Sequence, residues 1–225
     1  MHPLIKLSKV TKNFHQGNQR IEVLNDINLI VNNGEKIAIL GQSGTGKSTM
    51  LSLMAGLDLP DLGTIQIDNQ NLASLNQNEL SQFRSKNIGI VFQQFHLMKH
   101  LTALENVSIP LELQKEKNAD ELARNALNLV KLSHRLAHFP SQLSGGESQR
   151  VAIARAMVTQ PRIVLADEPS GNLDQKTGNE IMELIFDLCK KHKQTLLLVT
   201  HNHELAKKCD RTFILSDGKL QLLNH

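Results

Sequence analysis

The segment KIAILGQSGTGKST, Lys36 to Thr49, decides the fold. It begins with a short apolar run, Ile37 to Leu40, of the kind a buried strand needs. It passes through Gly41, Gly44 and Gly46 into STMLSLMAGL, Ser48 to Leu57, which has helical spacing and stops at Gly56. A strand that feeds a helix through a glycine-rich turn presents successive backbone N–H groups to an anion. The spacing G-x-x-x-x-G-K-[ST] adds a cation, Lys47, and a hydroxyl, Ser48. Glycines let the backbone wrap phosphates, Lys47 can reach the β- and γ-phosphates, and the Ser48 hydroxyl can ligate Mg2+.

Outward from this segment the same alternation continues. Gly63 to Asn69 (GTIQIDN), Asn87 to Gln94 (NIGIVFQQ), Arg162 to Pro169 (RIVLADEP) and Thr195 to Asn202 (TLLLVTHN) read as strands. Ala119 to Leu132 and Asn179 to Lys193 read as helices. Strands alternating with helices imply an α/β domain with a largely parallel sheet. Ile21 to Val31 (IEVLNDINLIV) alternates and predicts additional antiparallel strands near the N-terminus. Residues 95–142 are mostly helical in pattern and break the alternation, as a helical lobe inserted into a core of 1–94 and 143–225 would.

Composition narrows the function. The 225 residues are 40% hydrophobic and 21% charged, an ordinary globular balance, and the length is enough for one large domain or two small lobes. A net charge of +3 is too mild to imply a nucleic-acid partner. Cys189 and Cys209 share no metal-like spacing with His192, His201 or His203, and read as reduced thiols. The start, MHPLIKLSKVTKNF, has no long apolar core and does not read as a leader. No apolar run approaches the ~20 residues that span a bilayer. Work at a membrane would therefore need another chain.

Three further segments carry chemistry. Asp167 and Glu168 end an apolar strand, where Asp167 can hold Mg2+ and Glu168 can act as a base on water. His201 follows the apolar run Leu196 to Val199, at the end of a strand where open sheets bind ligands. Leu143 to Ala156, LSGGESQRVAIARA, places Ser144, Gly145 and Gly146 ahead of a helix, which is a second anion cradle or a plain helix cap on Ser144. Gln93 ends another apolar strand and by itself signifies nothing.

As a set, these segments resemble the nucleotide-binding subunits of ATP-binding cassette (ABC) transporters along nearly the whole chain. Gly41 to Thr49, with Ser43, Thr45 and Thr49 in the loop, resembles the Walker A segment, and IVLADE, ending in Asp167 and Glu168, resembles Walker B with its catalytic glutamate. LSGGE resembles the family signature, Gln93 the Q-loop, Ser170 to Asp174 the D-loop, and His201 the switch histidine. Phe14 stands where the family stacks an aromatic on adenine. Ser148 and Ser170 replace the Gln and Thr more usual in this branch.

The resemblance implies a P-loop NTPase of the ABC-ATPase fold, with a mostly parallel RecA-like core, an N-terminal antiparallel part and an inserted helical subdomain. It implies ATP and Mg2+ as ligands, with Ser48, Gln93 and Asp167 toward the metal and Lys47, Gln93, Glu168 and His201 in catalysis. It implies an ATP-dependent head-to-tail homodimer in which Ser144, Gly145 and Gly146 cap the partner's nucleotide, with Asp174 nearby. It also implies a separate transmembrane permease, which would hold the chain on the cytoplasmic side of a bacterial inner membrane. Within the family, GLDLPDLGTI (Gly56 to Ile65) and VTHNHELAKKCDR (Val199 to Arg211) resemble the branch that holds LolD, MacB, FtsE and YbbA, whose members move or extract hydrophobic cargo or transmit force.

An FtsE-like signalling subunit is a second expectation. A DNA-clamp or ribosome-acting cassette would need coiled-coil arms or a second cassette, for which 225 residues leave no room. The LSGGE segment argues against an unrelated P-loop kinase.

Overall fold

A computed structural model describes residues 3–17 and 19–223; Met1 and His2 of the N-terminal run lie outside them. In chain order the strands and helices begin with β1 (Ile5–Gln16), β2 (Gln19–Val31), β3 (Lys36–Leu40), α1 (Lys47–Met54), β4 (Leu62–Ile67), β5 (Gln70–Asn71) and α2 (Gln77–Asn87). Next come β6 (Ile88–Val91), α3 (Ala103–Leu113), α4 (Ala119–Leu129), α5 (Gly145–Met157), β7 (Ile163–Asp167) and α6 (Gln175–Lys191). The chain closes with β8 (Thr195–Val199), α7 (His203–Ala206), β9 (Arg211–Ser216) and β10 (Lys219–Leu223). These elements form two compact units: Met1–Arg84 with Thr195–His225, and Ser85–Gln194.

In the first unit β2, β1, β4 and β5 form an antiparallel sheet in that order. Its alternation is that of a sheet with one covered face: Ile27, Leu29 and Val31 are buried, while Ile30 between them is half exposed. Beside it β3 pairs parallel with both β8 and β9. Ile37, Ala38, Ile39 and all of Leu196 to Val199 have no exposure, as continuous apolar strands covered on both faces require. In the second unit β6 pairs parallel with β7, whose Val164, Leu165 and Ala166 are also fully buried. Each strand read from the sequence is present, the expected antiparallel partner of Ile21 to Val31 being β1.

Several features escaped the pattern, among them helix α2 and the first turn of α6, which starts at Gln175 and not at Asn179. The hairpin of β9 and β10 turns on Asp217 and Gly218, both at positive φ, a D-G signal lost in a short C-terminal tail. Helix α4 stops at Leu129, short of the expected Leu132, because Lys131 turns left-handed at φ 64. The N–H of Leu132 then donates to the Leu127 carbonyl and that of Lys131 to Asn128, which closes the helix as a Schellman motif. Helix α6 ends the same way on Lys193, whereas α1 ends on Gly56, the residue type the rule leads one to look for. A lysine at this position pays a left-handed cost of about 1–2 kcal/mol, partly offset by its charge beside the helix C-terminus.

Candidate functional site

The glycine-rich turn of the first unit leads into the start of α1, where a helix presents backbone N–H groups. Gly46 caps α1 with a left-handed backbone, φ 96, and no side chain caps the first turn. The first helical bond is Met50 N–H to the Gly46 carbonyl, so the N–H groups of Lys47, Ser48 and Thr49 head the helix without an intrahelical acceptor. A β-carbon on Gly46 would lie 2.7 Å from Val23 Cγ1, so both the backbone sign and the space demand glycine. Ser43, Gly44 and Ser48 are exposed, whereas Lys47 is buried. Its ammonium donates to the carbonyls of Gly41 at 2.9 Å and Gln42 at 2.7 Å. The cation is thus already stationed inside the loop, held by neutral acceptors that a phosphate can outcompete.

His201 stands just past β8, exposed, and joins this loop. It lines a cleft of about 520 Å3 with Gly41, Gln42, Thr45, His203 and Asp217. Phe14 lies on β1, opposite Ile21 of β2 and 44% exposed. Val23, two residues beyond Ile21, is the side chain that presses on Gly46, so the Phe14 strand runs one register step from the phosphate loop.

The second unit carries the other groups. Asp167 is the last residue of β7, and Glu168 follows at φ 43 in the left-handed region, unusual for a residue with a long side chain. The Gly171 N–H donates to the Glu168 carbonyl and closes a tight turn. Strained backbone of this kind gathers at functional sites. Gln93 is tied to the residues after that turn: its Nε2 donates to Asn172 Oδ1 at 3.1 Å, and Asn172 Nδ2 donates to the Gln93 carbonyl at 3.1 Å. That leaves the oxygen end of the Gln93 amide for a cation or a water. Gln149, wholly buried on α5, donates from Nε2 to the carbonyls of Phe92 at 3.2 Å and Pro169 at 2.7 Å. It fastens the end of β6 to the end of β7. Neither Gln149 nor Asn172 was singled out from the sequence. A polar residue on the apolar face of the Val151 to Ala154 helix was the available signal for Gln149.

Ser144 is a helix cap. Its Oγ accepts from the Glu147 N–H at 3.2 Å, and Glu147 Oε2 accepts from the Ser144 N–H at 2.8 Å, a complete capping box on α5. A β-carbon on Gly146 would come within 2.6 Å of the Thr177 methyl, so this glycine also lets α5 approach α6. Asp174 caps α6 by accepting from the Thr177 N–H at 3.1 Å, and this bonding to Thr177 holds its carboxyl below the usual range.

The Glu147 carboxyl is also held low, first by the Ser144 N–H, against the opposing effect of burial, and further by Arg135, whose Nε donates to Oε1 at 2.8 Å. A folded value below the unfolded one stabilises above the unfolded pKa and is lost as pH falls through the folded value. Glu147→Gln is therefore expected to lower unfolding stability by about 0.3–1 kcal/mol at neutral pH, the scale of one charge at a helix N-terminus. The difference from the parent should shrink on acidification through the depressed value, measured by urea midpoints across pH; a gap independent of pH would show that the charge contributes nothing.

Residues 24–171 match the family model described as ABC transporter. The chain is 46% identical over 219 residues to the lipoprotein-releasing system ATP-binding protein LolD of Legionella pneumophila (strain Paris), covering 96% of each. It is 46% identical over 222 residues to the LolD protein of Geobacter metallireducens, covering 98% of this chain and 99% of that one. Among solved structures it is similar to a dimeric post-hydrolysis state of the ATP-binding cassette MJ0796 bound to ADP and Pi, with TM-score 0.90, 40% identity, and 98% and 99% of the two chains covered. A family match over residues 24–171 and likeness to relatives from end to end lead to one conclusion: this chain belongs to the ABC transporter family, as one of its ATP-binding, ATP-hydrolysing subunits.

Proposed function

We propose that this chain powers a lipoprotein-releasing transporter of a bacterial inner membrane, closing as a homodimer on ATP to drive separate permease subunits from the cytoplasmic side. The observation that carries this reading is the near full-length likeness to proteins named for lipoprotein release. No helix among the described residues is long and apolar enough to cross a membrane. A groove lined by Phe95, Leu97, Leu143 and Pro140 offers a permease an apolar seat in the second unit. Residues 95–142, which hold α3, α4 and a short 3-10 turn but no strand among the described residues, form the helical subdomain, and 1–94 with 143–225 the catalytic core.

In this reading Gly41, Ser43, Gly44, Thr45, Gly46, Lys47, Ser48 and Thr49 hold the phosphates, and Phe14 stacks on adenine. Glu168 takes the proton of the attacking water, which Gln93 and His201 help to orient. Ser48, Gln93 and Asp167 are hard oxygen donors that fit Mg2+. Bound there, the ion would neutralise phosphate charge. Ser144, Gly145 and Gly146 reach the γ-phosphate held by the other copy, with Asp174 at the same interface. ATP then bridges the two copies and hydrolysis removes the bridge, a switch driven by contacts present in only one state.

The dimer is tested at Ser144. Ser144→Arg is expected to leave nucleotide binding by the monomer intact and to abolish ATP-driven dimerisation. Because Ser144 is also a helix cap worth about 0.5–2 kcal/mol, Ser144→Asp is the companion variant: it keeps a cap acceptor and repels phosphate. Loss of nucleotide binding by folded monomers of both variants would place the signature at its own chain's phosphate loop. The transport role is tested by purification from detergent-solubilised inner membranes: a multi-spanning partner should accompany the chain and release lipoprotein on adding ATP. A complex that turns over ATP without releasing lipoprotein overturns the cargo.

A further inference from the structure

Lys12 is the one lysine besides Lys47 among the buried polar residues of this chain's described part, and the phosphate chemistry does not use it. It lies on β1 two residues before Phe14. Its Nζ stands 5.5 Å from the centre of the Phe14 ring, inside the range of a cation–π contact. The ammonium does not wander. It donates to Asp58 Oδ1 at 2.9 Å and to the Leu59 carbonyl at 2.8 Å, and lies 3.8 Å from Asp61 Oδ1. Asp61 is itself fixed, because its Oδ2 accepts from the Asn13 N–H at 2.7 Å and from Asn13 Nδ2 at 2.9 Å. The Asp61 N–H donates to the Thr11 carbonyl. Residues 58–61 therefore form a bracket around 11–13, and a register shift between Lys12 and Asn13 sits inside it. With all of this, Phe14 remains 44% exposed. The ring beside this bound cation is thus still open to solvent.

We propose that Lys12 is a positioning residue for the nucleotide base: bracketed by Asp58, Asp61 and the Leu59 carbonyl, its ammonium orients the Phe14 ring and leaves ring surface to receive adenine. The proposal rests on the reading of Phe14 as the adenine-stacking residue. A ring fixed beforehand loses less freedom when a base stacks on it, so the contact gains affinity without touching the nucleotide. The paired carboxylates neutralise the lysine, which makes its effect one on the ring rather than on the phosphates.

Calorimetry on the full chain separates the two. ADP reports base and phosphate together, and pyrophosphate reports phosphate alone. Phe14→Ala should weaken ADP by roughly five- to 150-fold, the range of base–aromatic stacking, and leave pyrophosphate unchanged. Lys12→Met should weaken ADP by roughly three- to tenfold, the scale of a partly desolvated cation–π contact, also leaving pyrophosphate unchanged. Lys12→Arg should restore ADP binding. The double variant should bind ADP no more weakly than Phe14→Ala alone, since Lys12 acts through the ring. Should Lys12→Met fail to fold, Asp58→Asn loosens the ammonium without removing it and should show the same pattern, smaller. If Phe14→Ala leaves ADP unchanged, the stacking reading falls and the role of Lys12 with it. If Phe14→Ala weakens ADP while Lys12→Met does not, or weakens ADP and pyrophosphate alike, only the positioning role is overturned. Additive losses in the double variant overturn it too.

Discussion

Glu168→Gln is expected to lower ATP turnover by roughly 10²–10⁴-fold, the usual weight of a general base. The substitution keeps size and one acceptor oxygen, puts an amide donor in place of the other, and removes the carboxylate charge. Backbone strain is matched, since Gln must adopt the same left-handed conformation that Glu168 holds at φ 43. ATP binding should survive or tighten, because one negative charge near the triphosphate is gone. The variant should accumulate as an ATP-bound dimer, seen by light scattering as a dimer mass with Mg2+ and ATP and not with ADP. The parent should show that dimer weakly, since hydrolysis dissolves it. Asp167→Asn should behave differently and lose Mg2+-dependent affinity as well as turnover. If Glu168→Gln turns over ATP at the parent rate, the carboxylate is not the base, and His201 with Gln93 must organise the water alone.

Lys47→Ala should remove tight ATP binding. Truncating one partner of a buried, hydrogen-bonded charge pair costs about 2–5 kcal/mol, roughly 30- to 5,000-fold in affinity. The structure explains why the loss should fall at that scale rather than at the level of a surface ion pair. Lys47 is 6% exposed, and its ammonium already rests on the carbonyls of Gly41 and Gln42. Little ordering remains to be done when phosphate arrives, so removal of the charge is felt almost in full. Circular dichroism of the variant checks that folding is preserved. Calorimetry with ATP checks the outcome, and unchanged affinity would overturn the assignment of the phosphate loop.

What the sequence alone determined is what lies within a few consecutive residues. The phosphate loop, its lysine and the uncapped start of α1 are one contiguous device, and the buried strands β3, β7 and β8 are contiguous apolar runs. Backbone geometry turns such runs directly into structure, so the fold class and the motif residues were legible. The ends of elements were less so: α4 and α6 close on left-handed lysines, where propensity leads one to look for glycine. Only the tertiary structure decided which side chains serve which. The Gln93–Asn172 pair joins residues 79 apart, and Gln149 reaches the Phe92 carbonyl across 57. Gly146 owes its size to Thr177, and Lys12 owes its fixed position to Asp58 and Asp61. His201 owes its place beside Gly41 to the parallel pairing of β8 with β3. Periodicity reports the face a residue presents, not the residue it meets there, because a partner far along the chain is chosen by how sheets and helices pack.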